Sequence, residues 1–404
     1  MVTTLTRALS PARLPRISEM MSGYVDRRTL PGYVSLVSRQ GEEHVAYAGV
    51  LALDSNEPMQ RDTIFRIASM TKPITAVAAM ILVEECVLRL DDPVDAFLPE
   101  LADRQVLVRP DAALTQTVPA NRPITLRDLL TFRLGYGYLF AEGNYPQQQA
   151  FEAAGLGFTP DPQGSPEPDE WMRRLGELPL MHQPGEAWLY NAGADVLGVL
   201  IARASGLSFP DFMQQRIFDP LGMADTGFTL PAHKLPRMST NYFTDPETGA
   251  LDLFDAGPTT RWVQPPTFPS GGAGLVSTID DMHAFGQMLL GHGSYGGGMI
   301  LSRPAVELMT SDQLTPAQKT IPGWAPSYWE SHGWGFGGAV TTRQDEIYET
   351  VGRYGWDGGL GTSWYIDPRE EMVTILLTQA SFTSAIVPDW VRDFATSAYQ
   401  AISA

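Results

Sequence analysis

Apolar and polar positions alternate in two short runs near the start of the chain, Gly32-Tyr33-Val34-Ser35-Leu36-Val37 and His44-Val45-Ala46-Tyr47-Ala48-Gly49-Val50. A period of two predicts strands, and Gln40-Gly41 between them suits a hairpin turn. Residues 1–30 ahead of them read as a lead-in helix. The period then changes. After Phe65-Arg66-Ile67-Ala68-Ser69-Met70-Thr71-Lys72-Pro73, the apolar residues Ile74, Val77, Ala78, Ile81 and Leu82 recur at helical spacing. Proline is tolerated only in a helix's first turn, so this helix should begin close to Ser69.

From about residue 90 to 265, helical patterns (Leu126 to Thr131, Ala194 to Ala204) mix with loops, among them the polar, proline-rich Thr159 to Asp169, and residues 240–270 read as irregular. A helix over Asp280 to Leu290 follows Gly271-Gly272-Ala273-Gly274. Strand patterns return at Gly361 to Ile366 and Met372 to Thr378, joined by the turn Asp367-Pro368-Arg369, and an amphipathic helix over Val387 to Ile402 closes the pattern. Strands, helices, strands and a helix in that order predict an antiparallel sheet built from both parts of the chain around a helical insertion. The expected division is an α/β lobe from 1–75 and 270–404, a mostly helical lobe from 76–269, and a cleft between them.

Composition narrows the function classes. The 404 residues exceed what one core usually holds, and 44% hydrophobic with 18% charged residues is ordinary for a folded protein. A formal net charge of −18 with no long basic run argues against nucleic acid or an anionic membrane as partner. The single cysteine, Cys86, cannot form an internal disulfide and reads as a small semi-buried residue. Met1 to Arg16 lacks an apolar run of signal-peptide length, and no stretch reaches bilayer-spanning length, so the expected location is the cytoplasm.

Chemistry concentrates at Ser69-Met70-Thr71-Lys72, which contains one of only three lysines. Positions i and i+3 share a helix face, so the hydroxyl and the amine can meet. Serine needs a base, and a lysine can serve when burial and the helix N-terminus lower its pKa. Main-chain N–H groups at the helix start can also hold a developing oxyanion. S-x-x-K arises easily by chance; its position between a strand and an apolar helix gives it weight.

Several blocks in consistent order across about residues 30–380 resemble the serine β-lactamase and penicillin-recognising superfamily, and are most similar to class C β-lactamases and family VIII carboxylesterases. They are Ile67 to Lys72, Leu88-Arg89-Leu90-Asp91-Asp92-Pro93-Val94, Ile124 to Thr131, Phe218-Asp219-Pro220-Leu221-Gly222-Met223, and Gly272 to Thr278. The resemblance implies an α+β, β-lactamase/transpeptidase-like fold, an antiparallel sheet flanked by helices with an inserted, mostly helical lobe. Tyr190, in Trp188-Leu189-Tyr190-Asn191, takes the position of the family's second-motif tyrosine, with Asn191 one residue early for the Tyr-x-Asn form. A phenol beside a lysine ammonium is expected to have a lowered pKa and to act as acid or base. The third motif corresponds to Trp356-Asp357-Gly358-Gly359, in a glycine-rich stretch, 355–359, that also reads as a turn entering a strand; Trp356 replaces the usual cation and Asp357 adds an anion. The resemblance implies that the Gly359 N–H joins that of Ser69 in the oxyanion hole.

A motif without its cation, inside an acidic protein, disfavours substrates that carry a carboxylate there. The expected function is therefore a serine hydrolase with an acyl-enzyme on Ser69, acting on small uncharged esters. The alternatives are β-lactamase, D-amino-acid amidase or peptidase, or acyltransferase chemistry of the same superfamily, or a silent ligand-binding relative. The partner is a small ester or amide, and no cofactor is required. The histidines show no metal-ligand spacing. Gly333-Trp334-Gly335-Phe336-Gly337-Gly338 lacks the strand–turn–helix setting of a dinucleotide site, leaving Trp334 as pocket wall or core. Tyr136, Tyr138 and Phe140 fit an apolar acyl or alcohol pocket and core packing equally well. The oligomeric state is open.

Overall fold

The computed structural model describes residues 7–140, 142–157, 161–321 and 324–403. Seven strands form one antiparallel sheet: β1 (Gly32–Arg39), β2 (Glu42–Gly49), β3 (His332–Trp334), β4 (Ala339–Thr341), β5 (Tyr354–Gly358), β6 (Thr362–Asp367) and β7 (Met372–Thr378). Their spatial order is β3-β4-β5-β6-β7-β1-β2, so β1 lies beside β7 although more than 300 residues separate them. Register is set by side-chain pairs such as Leu36 opposite Val45 on one side and Ile375 on the other.

Successive side chains of a strand point to opposite faces. In β1, Val34 and Leu36 enter the large central core, whereas Tyr33 and Val37 enter a second core. That second core lies under helices α1 (Pro15–Asp26) and α6 (Asp389–Gln400), through Ile17, Met21, Trp390 and Phe394. Over the first face lie α2 (Thr71–Glu84), α4 (Ala192–Ser205) and α5 (Ile279–Leu290), together with the short α3 (Leu126–Leu130). Burial on both faces explains why β1 and β7 are buried along nearly their whole length. Helix α2 is buried from Thr71 through Leu82, not along a single stripe as its apolar spacing suggested. Helix α4 is buried from Ala192 through Ile201, and small residues in both helices allow the close approach.

Four expectations change. The lead-in helix covers only Pro15–Asp26, and part of the region assigned to it lies outside the described residues. The irregular stretch at 240–270 holds a two-stranded hairpin, Asn241–Thr244 with Leu251–Asp255. The glycine-rich segment at 355–358 is not a turn but part of β5, and the turn follows at Gly359-Leu360-Gly361. Cys86 is exposed, at a left-handed φ of 59° past the end of α2. Within the proline-rich stretch, residues 158–160 lie outside the described ones, and a helix starts at Pro168. Among the described residues, no single helix is long and apolar enough to cross a membrane.

Candidate active site

Ser69 sits in a single tight turn, Ala68–Met70, that leads directly into α2. Ala68 holds φ at +44°, a left-handed conformation that costs a residue with a Cβ about 1 kcal/mol. The turn is pinned on both sides: Ile67 N donates to Leu275 O at 3.1 Å, and Thr362 Oγ1 donates to Ile67 O at 3.2 Å. Gly358 explains itself here. A Cβ at that position would stand 2.3 Å from Ile67 O, so only glycine lets β5 lie against the serine turn.

One helical turn on, Lys72 Nζ lies 2.9 Å from Ser69 Oγ and donates at 2.6 Å to Gly272 O. Lys72 is 1% exposed, and burial pulls its pKa down to about 7, against an opposing pull from Asp195. Asp195, on α4, accepts from Ser270 Oγ (2.6 Å), Gly272 N (3.1 Å) and Asn191 Nδ2 (2.9 Å). This knot fixes the loop that presents the Gly272 carbonyl to Lys72. It also gives Asn191 a structural job at the start of α4, where its backbone takes φ +78°.

Tyr190 approaches from the other side, its hydroxyl donating to Ser69 Oγ at 2.9 Å. The tyrosine is held by a backbone bridge to Tyr138, with N–H···O distances of 3.0 and 2.9 Å. That bridge requires Gly137, because a Cβ there would stand 2.5 Å from Tyr190 O. Trp356 Nε1 donates to the Tyr190 hydroxyl at 2.8 Å. The expectation of a lowered phenol pKa is reversed: burial, helped by Asp357 and Asp195, pushes Tyr190 well above the ordinary tyrosine range, outweighing the bonds from Ser69 and Trp356.

Ser69, Lys72, Tyr190 and Trp356 thus share one hydrogen-bonded chain. Ser69, Tyr190, Trp356, Asp357 and Gly359 all border a cavity of about 1050 Å3. Gly359 is exposed and has no atom near the position of a Cβ, so space does not force glycine there. Among the described residues, its N–H makes no main-chain hydrogen bond. Asp357 is less of an anion than expected, because burial holds its carboxyl above the usual range, with Tyr365 hydroxyl donating to Oδ2 at 2.9 Å. Tyr138 and Phe140 reach the cavity, whereas Tyr136 is core, its hydroxyl donating to Leu175 O at 2.9 Å. Trp334 is core as well, packed among Phe132, Trp188 and Trp356. Sequence reasoning missed Asp195, Ser270 and Trp324, whose ring lies 4.7 Å from that of Tyr190. Ser270 directly precedes the glycine block at 271–274, and Asp195 stands four residues after Asn191, in the stretch read as helical.

The sequence matches the Beta-lactamase family over residues 17–396. Protein Rv1367c of Mycobacterium tuberculosis is 38% identical over 360 residues, covering 88% of this chain and 87% of that one. Esterase EstB of Burkholderia gladioli is 29% identical, covering 91% of this chain and 90% of its own. Among solved structures, EstCE1, described as a hydrolase with promiscuous acyltransferase activity, superposes with a TM-score of 0.75 at 25% identity, covering 96% of this chain and 98% of its own. The match across nearly the whole length, on a sheet and serine turn of this geometry, means that the chain belongs to the β-lactamase family.

Proposed function

We propose that this protein is a carboxylesterase that acylates Ser69, working on esters uncharged at the reacting end. Its site would lie in a cleft between an α/β lobe (1–75 and 270–404) and a helical lobe (76–269). One observation carries the reading: the Ser69 oxygen has Lys72 Nζ and the Tyr190 hydroxyl each at 2.9 Å and opens on the cavity. At neutral pH a lysine with a pKa of about 7 is about half free of its proton and can accept one, while Tyr190 keeps its own. Lys72 is then the first base. Ser69 Oγ bonds to the ester carbon as its proton passes to Lys72 Nζ. The carbonyl oxygen takes the electron pair and is held by the Ser69 and Gly359 N–H groups. When the carbonyl re-forms, the C–O bond to the alcohol breaks and that oxygen leaves with the Tyr190 proton, which the Lys72 ammonium restores. Water repeats the sequence on the acyl-enzyme. Trp356 in place of a cation, and the esterase names of relatives, support simple esters over β-lactams.

Replacing Ser69 with Ala should lower p-nitrophenyl ester hydrolysis by roughly 10^4-fold or more. The circular dichroism spectrum should stay unchanged, and a fluorophosphonate adduct seen by intact mass should disappear. Retained turnover in the variant refutes the assignment.

The cavity volume favours a second activity. At about 1050 Å3 it stands at the upper end for small-ligand sites, with room for an acyl group and an alcohol together. Added short alcohols should then divert the acyl-enzyme into new esters, measured as the ester-to-acid product ratio.

A further inference from the structure

The cavity extends past the end of β4, around the edge of β5, into an arm on the opposite face of the sheet, under α6. Side chains at 353 and 357 share that face, opposite Trp356, and Tyr365 of β6 joins them through the pairing of Gly355 with Tyr365. The arm contains an unusual cation. Arg353 is 6% exposed, and its guanidinium carbon stands 3.5 Å from the centre of the Tyr365 ring. Among the described residues, no carboxylate lies within ion-pair distance of it, and its Nε has no hydrogen-bond partner. A buried charge normally has a partner, because desolvating it alone costs several kcal/mol.

Burial works against the charge of Arg353, and Tyr399, Tyr365, Asp357 and Glu349 more than offset that from a distance, but among the described residues none of them makes an ion pair or hydrogen bond with it. Glu349 is engaged by His332 at 3.2 Å. Asp357 gives Oδ2 to the Tyr365 hydroxyl, and its Oδ1 is buried without a partner. Burial raises the Asp357 pKa, which disfavours its charged form. Arg392 of α6 borders the arm as well, with Glu346 at its rim. A guanidinium stacked on Tyr365, with its Nε edge without a hydrogen-bond partner, presents paired donors to a planar anion.

We propose that this arm receives a carboxylate at the far end of the ester substrate. The inference rests on the esterase reading above and adds the substrate class. It leaves the reacting end uncharged, as Trp356 and the Ser69 region require. Three residue steps along the strand lead from Arg353 to Trp356, roughly 10 Å. The carboxylate therefore sits at the end of a medium-length chain, in either the acyl or the alcohol half.

The test compares the mono-p-nitrophenyl esters of suberic and sebacic acid with their methyl-capped counterparts, and carboxyalkyl acetates with theirs. In one or both series the wild type should favour the free acid by about tenfold in kcat/KM. That ratio should fall to near one in Arg353→Met and recover in part in Arg353→Lys, which also guards against a folding defect. Equal rates on free and capped esters in both series, or a preference for a trimethylammonium end, overturn the proposal. Calorimetric binding of monomethyl suberate to Ser69→Ala separates the two readings. Tighter binding than the dimethyl ester supports the arm even if Ser69 is not the nucleophile. Equal binding of the two sinks the arm and leaves the esterase reading standing.

Discussion

Arg66 and Lys72 lie six residues apart in sequence, on either side of the nucleophile, and both are sealed from water. Arg66 meets its anion directly: Nη2 donates to Asp255 Oδ2 and, at 2.9 Å, to Thr260 Oγ1, while Nη1 donates to Ser239 O at 2.7 Å. Burial lowers its pKa only to about 10, so it stays charged and anchors the strand ahead of Ser69 to the loop at 255–260. Lys72 instead rests on Ser69 Oγ and a carbonyl, while the carboxylate acting on it, Asp195, is bound by Ser270, Asn191 and the Gly272 N–H. The same desolvation therefore ties one cation into the scaffold and brings the other to the edge of neutrality. Whether a buried cation meets its counter-ion face to face decides between structure and chemistry.

Lys72→Met is the most severe way to break this contrast. It removes the base but keeps the packing, so kcat/KM on p-nitrophenyl acetate should drop by roughly 10^3-fold. The pH dependence should change in a defined direction. In the wild type, kcat/KM should rise through about pH 7 as Lys72 loses its proton, and this limb should vanish in the variant. Stability carries the same sign. The unfolded chain holds the Lys72 proton up to about 10.5 and the folded chain only up to about 7. Between these values the unfolded state binds more protons, so wild-type stability gains from this group as pH rises through the window. Urea titrations at several pH values should show the gain in the wild type and lose it in Lys72→Met.

Arg66→Met should do the opposite. It leaves Asp255 buried with Arg261, at 3.2 Å, as its remaining ion-pair partner beside the Thr260 hydroxyl, and should cost about 3 kcal/mol in chemical denaturation. Activity per folded molecule should hold far better than in Lys72→Met; an equal loss in both would erase the distinction between anchor and base. Trp356→Phe is milder. It deletes the indole N–H that donates to Tyr190, which should reduce kcat by about tenfold with little change in KM. Smallest is Asp195→Asn. Asp195 holds the Lys72 pKa up, so removing its charge should move the acid limb of kcat/KM to lower pH by less than about one unit. A shift to higher pH would mean that loop displacement outweighs charge.

Much of this site is legible without coordinates because it is local. Ser69 and Lys72 meet through three residues of helix, and Pro73 marks where that helix begins. Tyr190 and the segment at 356–359 are recognisable by their resemblance to known motifs, though their distance from Ser69 is not. The misses share one cause. A phenol beside a fully charged lysine should have a lowered pKa, but Lys72 is only about half charged at neutral pH, and burial against Trp324 and Trp356 controls the phenol instead. In the sequence Asp195 is one more acid in an acidic chain, and an arginine just ahead of a strand, as Arg353 is, carries no pattern of its own.

By itself, the sequence determined four of the seven sheet strands, the serine–lysine turn and the family, because each depends on spacing within a segment or on blocks in a fixed order. The tertiary structure alone decided which buried cations find an anion, where the phenol holds its proton, and how the cavity bends around β5 to reach Arg353. Those properties depend on dielectric and on contacts between segments up to 300 residues apart, and neither is written in any local run of residues.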